Sequence, residues 1–110
     1  MRSRAEIPPG TLHMLILKSL ARMGPMHGYG IAQYVHQGSD DVLQVEEGSL
    51  YPALQRMLVK GWVTAEWKQS ENNRRALYYR LTQCGRKQMM REVNEFELVM
   101  AAIVRVIEPA

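Results

Sequence analysis

The chain has 110 residues, fourteen Lys and Arg against eleven Asp and Glu, 46% apolar and 23% charged residues, which fits one ordinary globular domain and excludes a disordered chain. That length buries roughly 60% to 70% of the surface the unfolded chain exposes, enough for one core but not for a second independent domain. Cys84 is the single cysteine, which excludes a disulfide framework and a cysteine zinc cluster.

His13, His27 and His36 fall in different elements without an acidic or cysteine partner at ligand spacing, so they read as polar surface or satisfied, partly buried rings rather than metal ligands. No cofactor motif is present. The longest apolar run, LHMLILKSLA, is interrupted by His13 and Lys18 and falls well below the roughly 20 residues that span a bilayer. With no basic leader and small-residue cleavage site ahead of it, the expectation is a cytoplasmic protein without a membrane partner.

Residues 1 to 10 carry Arg2, Arg4 and the breaker run Pro8-Pro9-Gly10, which predicts an extended arm outside the core. Thr11 is placed to cap a first helix over 11–23, in which Leu12, Leu15, Ile16, Leu20 and Met23 recur at helical spacing before Gly24-Pro25 stops it. A second helix opens at His27-Gly28-Tyr29-Gly30, presents Ile31, Tyr34 and Val35, and ends at Gly38. Two glycines in a first turn cost about 1 kcal/mol each in helix propensity. Either a bare helix N-terminus there, with Gly28 and Tyr29, offers its N–H groups to a phosphate, or the second helix packs tightly on the first. The segment 38–45, with Asp40 and Asp41, exceeds the turn of the simplest helix-turn-helix but suits a winged variant.

The chain is organised around Glu46 to Gly61, EEGSLYPALQRMLVKG. At about 100° per residue, Leu50, Leu54, Met57 and Leu58 gather on one side and Gly48, Pro52, Gln55, Arg56 and Val59 on the other. Acidic groups and Ser49 favour a helix N-terminus near 46 to 49, and Pro52 fits the early turns. One face suits a core. The other offers small and hydrogen-bonding groups with a single cation, the character of a helix that enters a DNA groove.

After Gly61 the period changes to two. Val63, Ala65 and Trp67 share one strand face, Leu77, Tyr79 and Leu81 share another, and residues 70 to 74 make the turn of a β-hairpin carrying Arg74, Arg75 and Arg80. Charge follows the same boundary: residues 1–59 hold five cations and five anions, 60–91 eight and two, 92–110 one and four. A cation excess confined to the hairpin and the start of the next helix is the pattern of a phosphate-facing surface, or else of a solvated face. Thr82 then caps a last helix running to about Glu108. Along it Met89, Val93, Phe96, Met100, Ile103 and Ile107 are spaced four, three, four, three, four, a seam widened by Val99, Ala102, Val104 and Val106. So apolar a helix at the end of so small a chain predicts a homodimer, with simple docking on the chain's own core as the alternative.

The expected fold is mainly α with a small β-hairpin: a winged helix-turn-helix domain over 11–81 and a long C-terminal dimerisation helix over 82–110. The motifs HGYGI, EEGSLYPAL, KGWV and YYRLTQCG, in that order, resemble the PadR family of bacterial transcriptional regulators over roughly residues 11–105. The single terminal helix is similar to the short-tailed subgroup. Membership implies a dimeric repressor, often ligand-responsive, at promoters of detoxification, efflux or stress genes.

In such a protein Ser49 and Gln55, with Gly48 and Pro52 leaving room beside them, would read base edges, while Arg56 would reach guanine or phosphate. Arg74 and Arg75 would touch the backbone or minor groove. Tyr51 lies between the two faces of its helix, so geometry leaves it either structural or phosphate-binding; the resemblance favours DNA contact. A hydrophobic or aromatic effector between paired terminal helices would meet Phe96, Val99, Met100 and Met89, residues that ordinary dimer packing explains as well. Nothing resembles a catalytic arrangement. The competing function is a winged-helix protein-interaction module without DNA binding, favoured by the anions Asp40, Asp41, Glu46 and Glu47 ahead of the central helix.

Overall fold

The computed structural model describes residues 5–109, in which the helical stripes of the sequence become four helices: α1 (Leu12–Met23), α2 (Gly28–Gly38), α3 (Glu47–Val59) and α4 (Gln83–Ile107). One face of each supplies the core. Ile16, Leu17 and Leu20 of α1, Ile31 of α2, and Leu50, Ala53, Leu54 and Met57 of α3 are buried together. Val63 and Tyr79 from the hairpin and Met89 from α4 complete the cluster. The central helix thus buries the stripe expected of it, with Ala53 added and Leu58 only half-buried.

Helix ends follow local chemistry, with one departure. At the end of α3, Gly61 adopts φ 76°. Its N–H reaches the Leu58 carbonyl at 3.1 Å and that of Trp62 the Met57 carbonyl at 3.0 Å, a Schellman closure. Thr11 does precede α1, but its hydroxyl donates to the Pro8 carbonyl at 2.7 Å and caps no helical N–H. The preceding proline turn competes for it and wins.

The hairpin pairs β4 (Val63–Gln69) with β5 (Arg75–Leu81) in the register Val63↔Leu81, Ala65↔Tyr79 and Trp67↔Leu77, so the two expected strand faces are one continuous face. Three two-residue strands were not foreseen. Of these, β2 (Met26–His27) adds to β5 antiparallel, giving the order β2-β5-β4. The other two, β1 (Ala5–Glu6) and β3 (Leu43–Gln44), pair in parallel, and the Ala5 N–H reaches the Val42 carbonyl at 2.8 Å. The arm is therefore extended, as expected, yet tied to the connection between α2 and α3; Arg2 and Arg4 fall outside the described residues. In that connection Asp40 and Asp41 take left-handed φ of 59° and 65°. The Asp41 N–H bonds to the His36 carbonyl at 2.8 Å, and its carboxylate lies 3.5 Å from His36 Nε2.

The first turn of α4 rests directly on the end of α3. Thr82 Oγ1 accepts the Gly85 N–H at 2.9 Å and lies 2.7 Å from the Gly61 carbonyl and 3.0 Å from that of Trp62. A side chain at Gly85 would overlap the Trp62 carbonyl oxygen, so the backbone approach there requires glycine. From this anchor α4 runs beyond the domain, and the molecule measures 55 × 36 × 22 Å. No helix among the described residues is long and apolar enough to cross a membrane.

Candidate nucleic-acid interface

The outward side of α3 is bare. Gly48, Ser49, Pro52, Gln55, Arg56 and Val59 are all exposed, while the opposite stripe is sealed in the core. Pro52, inside the helix, has no N–H to give the Gly48 carbonyl, so this face also keeps backbone polarity near its N-terminal end. Val59, 87% exposed, ends the face with an apolar group that sequence reasoning placed there without a role.

Tyr51 links α3 to α2. It is 44% exposed, and its ring lies over Gly28: a methyl group there would meet Tyr51 Cε1 at 2.9 Å and the hydroxyl oxygen at 3.0 Å. Gly28 is thus required by close packing, but against α3 rather than against α1, the partner that sequence spacing suggested. Packing and a phosphate-facing terminus are not exclusive here. The contact brings the phenol to the first turn of α2, where unpaired N–H groups begin.

That terminus is not bare, however. His27 precedes α2, and its Nδ1 accepts the Gly30 N–H at 3.0 Å. The ring stacks near Tyr29, centroids 6.4 Å apart, and meets Tyr78 edge-on at 5.2 Å. The imidazole already occupies one of the donors that a phosphate would use, and Tyr29 is left exposed beside it.

Two cations of the hairpin, and Lys60 just ahead of it, lie over aromatic rings. The Arg75 guanidinium carbon lies 5.3 Å from the Trp67 ring centroid, Lys68 Nζ 5.9 Å from that of Tyr78, and Lys60 Nζ 5.0 Å from that of Trp62. Arg74 is exposed at the turn, where Asn73 takes φ 62° and Ser70 donates its N–H to the Arg74 carbonyl at 2.6 Å. Lys68 also pairs with Glu66 at 3.7 Å.

His13 corrects the expectation of a satisfied histidine. Its Nε2 is buried and meets no hydrogen-bond partner among the described residues, and the ring stands edge-on to Trp62 at 5.9 Å. Burial, and then the Arg56 and Lys60 charges, hold its pKa below the ordinary 6.5, with Glu92 opposing.

The expected dimer seam divides in two. Met89, 7% exposed, belongs to the domain's own core, with Val93 packed against it; the first heptad of the seam covers the domain that α4 leaves. Phe96 is half-buried, and Val99, Met100, Ile103 and Ile107 are exposed. Phe96, Val99 and Met100, the expected effector contacts, thus lie on an open surface of the single chain.

Comparison with known proteins agrees with this arrangement. Residues 16–91, from the core of α1 into α4, match the model of the transcriptional regulator PadR-like family. The chain belongs to that family. A transcriptional regulator from Clostridium thermocellum is similar at 27% identity, over 90% of this chain and 95% of the other, with a TM-score of 0.80. A PadR family transcription regulator from Clostridium difficile R20291 is similar at 26% identity, over 90% of this chain and all of the other (100%), with a TM-score of 0.76. An uncharacterized protein of Lysinibacillus sphaericus is 27% identical over 100 residues, 91% of each chain. Membership supports a DNA-binding transcriptional regulator, and the winged-helix fold with a long C-terminal helix is shared with these proteins.

Proposed function

We propose that the chain is a sequence-specific DNA-binding regulator that works as a homodimer, represses transcription by occupying its operator, and is released by a small-molecule or stress signal. The observation that carries this reading is the convergence of Tyr51 and the first turn of α2 beside the bare face of α3. In the major groove, Ser49 and Gln55 present hydrogen-bonding groups to base edges, with Arg56 at guanine or phosphate and Val59 toward a thymine methyl. Gly48 and Pro52 keep the helix close. The Tyr51 hydroxyl and the backbone of Gly28 and Tyr29 take a phosphate between them, and Arg74 and Arg75 take the flanking backbone or minor groove.

Two such faces, joined through the exposed part of α4, would meet successive major grooves of a pseudo-palindromic site about 34 Å apart. Phe96, Val99 and Met100 would then lie between the two copies, where a hydrophobic or aromatic effector could alter the spacing. The protein-interaction alternative drew on the anions before α3. Asp40 and Asp41 have work in the turn that ends α2, and Glu47 lies in the first turn of α3, where a carboxylate suits the helix dipole.

A salt titration of duplex binding is the test. Affinity should fall steeply with salt, Arg74→Ala and Arg75→Ala should each lower the slope of log K against log salt by about one and weaken all sequences alike, and Gln55→Ala should alter base preference. Binding indifferent to salt would contradict the proposal.

A further inference from the structure

The inward face of the wing is core at its base and solvent at its tip. Val63 and Tyr79 are buried, yet Trp67, opposite Leu77 as the last apolar pair on that face before Gln69 and Arg75, is 59% exposed. Most aromatic side chains of this size contribute far more when covered. What stands beside Trp67 is a cation, Arg75, with its guanidinium over the indole and exposed Arg74 next to it in the chain. Of the wing's two carboxylates, Glu66 is paired with Lys68 and Glu71 lies in the turn. Such a surface complements a partner that is anionic and also offers apolar faces to a ring.

We propose that Trp67 is itself a DNA-contacting residue, its indole lying against deoxyribose at the edge of the minor groove while it holds Arg75 toward the phosphates. This rests on the DNA-binding reading above. An arginine stacked on an aromatic ring loses less freedom when it meets a phosphate, because its rotamers are already restricted. The uncovered edge of the ring supplies the apolar contact that minor-groove proteins commonly make. The wing then acts as a preset clasp rather than a loose basic loop.

The sequence contains two tryptophans, Trp62 and Trp67, so Trp62→Phe leaves Trp67 as the sole indole reporter. The probes are a duplex selected by the wild-type protein from a random pool and an unrelated duplex of the same length. Both should quench or shift Trp67 emission. Trp67→Ala, folded by circular dichroism, should weaken binding to both by a similar factor, about three- to tenfold, and Trp67→Phe should recover part of it. Combining Trp67→Ala with Arg75→Ala should cost less than the product of the single losses, because the two residues act as a pair. Wild-type affinity in Trp67→Ala beside lost affinity in Arg75→Ala, or emission unmoved by DNA yet moved by anionic lipid vesicles, would overturn the proposal. A wild-type protein that binds neither duplex would instead overturn the regulator reading, and this inference with it.

Discussion

At Gly28 the Tyr51 ring approaches so closely that the smallest side chain would collide with it. Gly28→Ala gains helix propensity at the first residue of α2, worth up to about 1 kcal/mol. It also pushes the phenol off the terminus where a phosphate is proposed to sit. The expected outcome is duplex affinity reduced by roughly tenfold with little change in thermal midpoint, as one lost charge-assisted contact implies; equal affinity would separate Tyr51 from the DNA.

His13 gives a second prediction. Its folded pKa lies below the unfolded 6.5, chiefly because of burial, so the unfolded chain binds a proton first as pH falls. The stability this neutral ring contributes is complete above about pH 6.5 and is lost as pH falls through the folded value. His13→Phe should therefore flatten part of the drop in unfolding midpoint between about pH 7 and about pH 5, and identical pH profiles for the two proteins would contradict this. Both residues show what local spacing leaves open. A helical projection put Tyr51 between the faces, which is where it is, but the partner of Gly28 and the missing partner of His13 are set by elements distant in sequence.

The elements themselves were largely legible. Four apolar stripes of helical period became α1 to α4, and alternation placed Val63, Ala65 and Trp67 on one strand face and Leu77, Tyr79 and Leu81 on another, which the pairing joins into one. The pairs β1–β3 and β2–β5 were not legible, because two residues display no period and their partners lie far along the chain. The junction of α3 with α4 is the element-scale feature with the clearest consequence. Thr82→Ala removes the cap of α4 and should cost about 1 kcal/mol. Gly85→Ala forces the helix away from the Trp62 carbonyl and should cost about 3 kcal/mol or more, read from denaturant midpoints. A smaller loss at Gly85 than at Thr82 would show that α4 is not seated as described.

At the scale of the whole molecule, α4 divides into two parts. Its first third closes the domain core through Met89, the own-core docking that heptad spacing leaves open beside a dimer, because a seam reads the same whichever surface covers it. Beyond Phe96 the seam is exposed, Met100 at 41% and Ile103 at 46%. That face is the proposed dimer contact, and replacing Met100 and Ile103 together by Asp should leave a folded chain of monomer mass in sedimentation and weaken operator binding by orders of magnitude, since one half-site remains. A variant that stayed dimeric would place the contact elsewhere.

Whether paired α3 helices read DNA while the wing and the α2 terminus hold the backbone is decided by selecting bound duplexes from a random pool. An inverted repeat should be enriched, its half-sites centred about 10 base pairs apart or a multiple of that, with Gln55→Ala changing the bases within each half-site and Arg74→Ala changing none. Recovery of unrelated sequences without any repeat would contradict it.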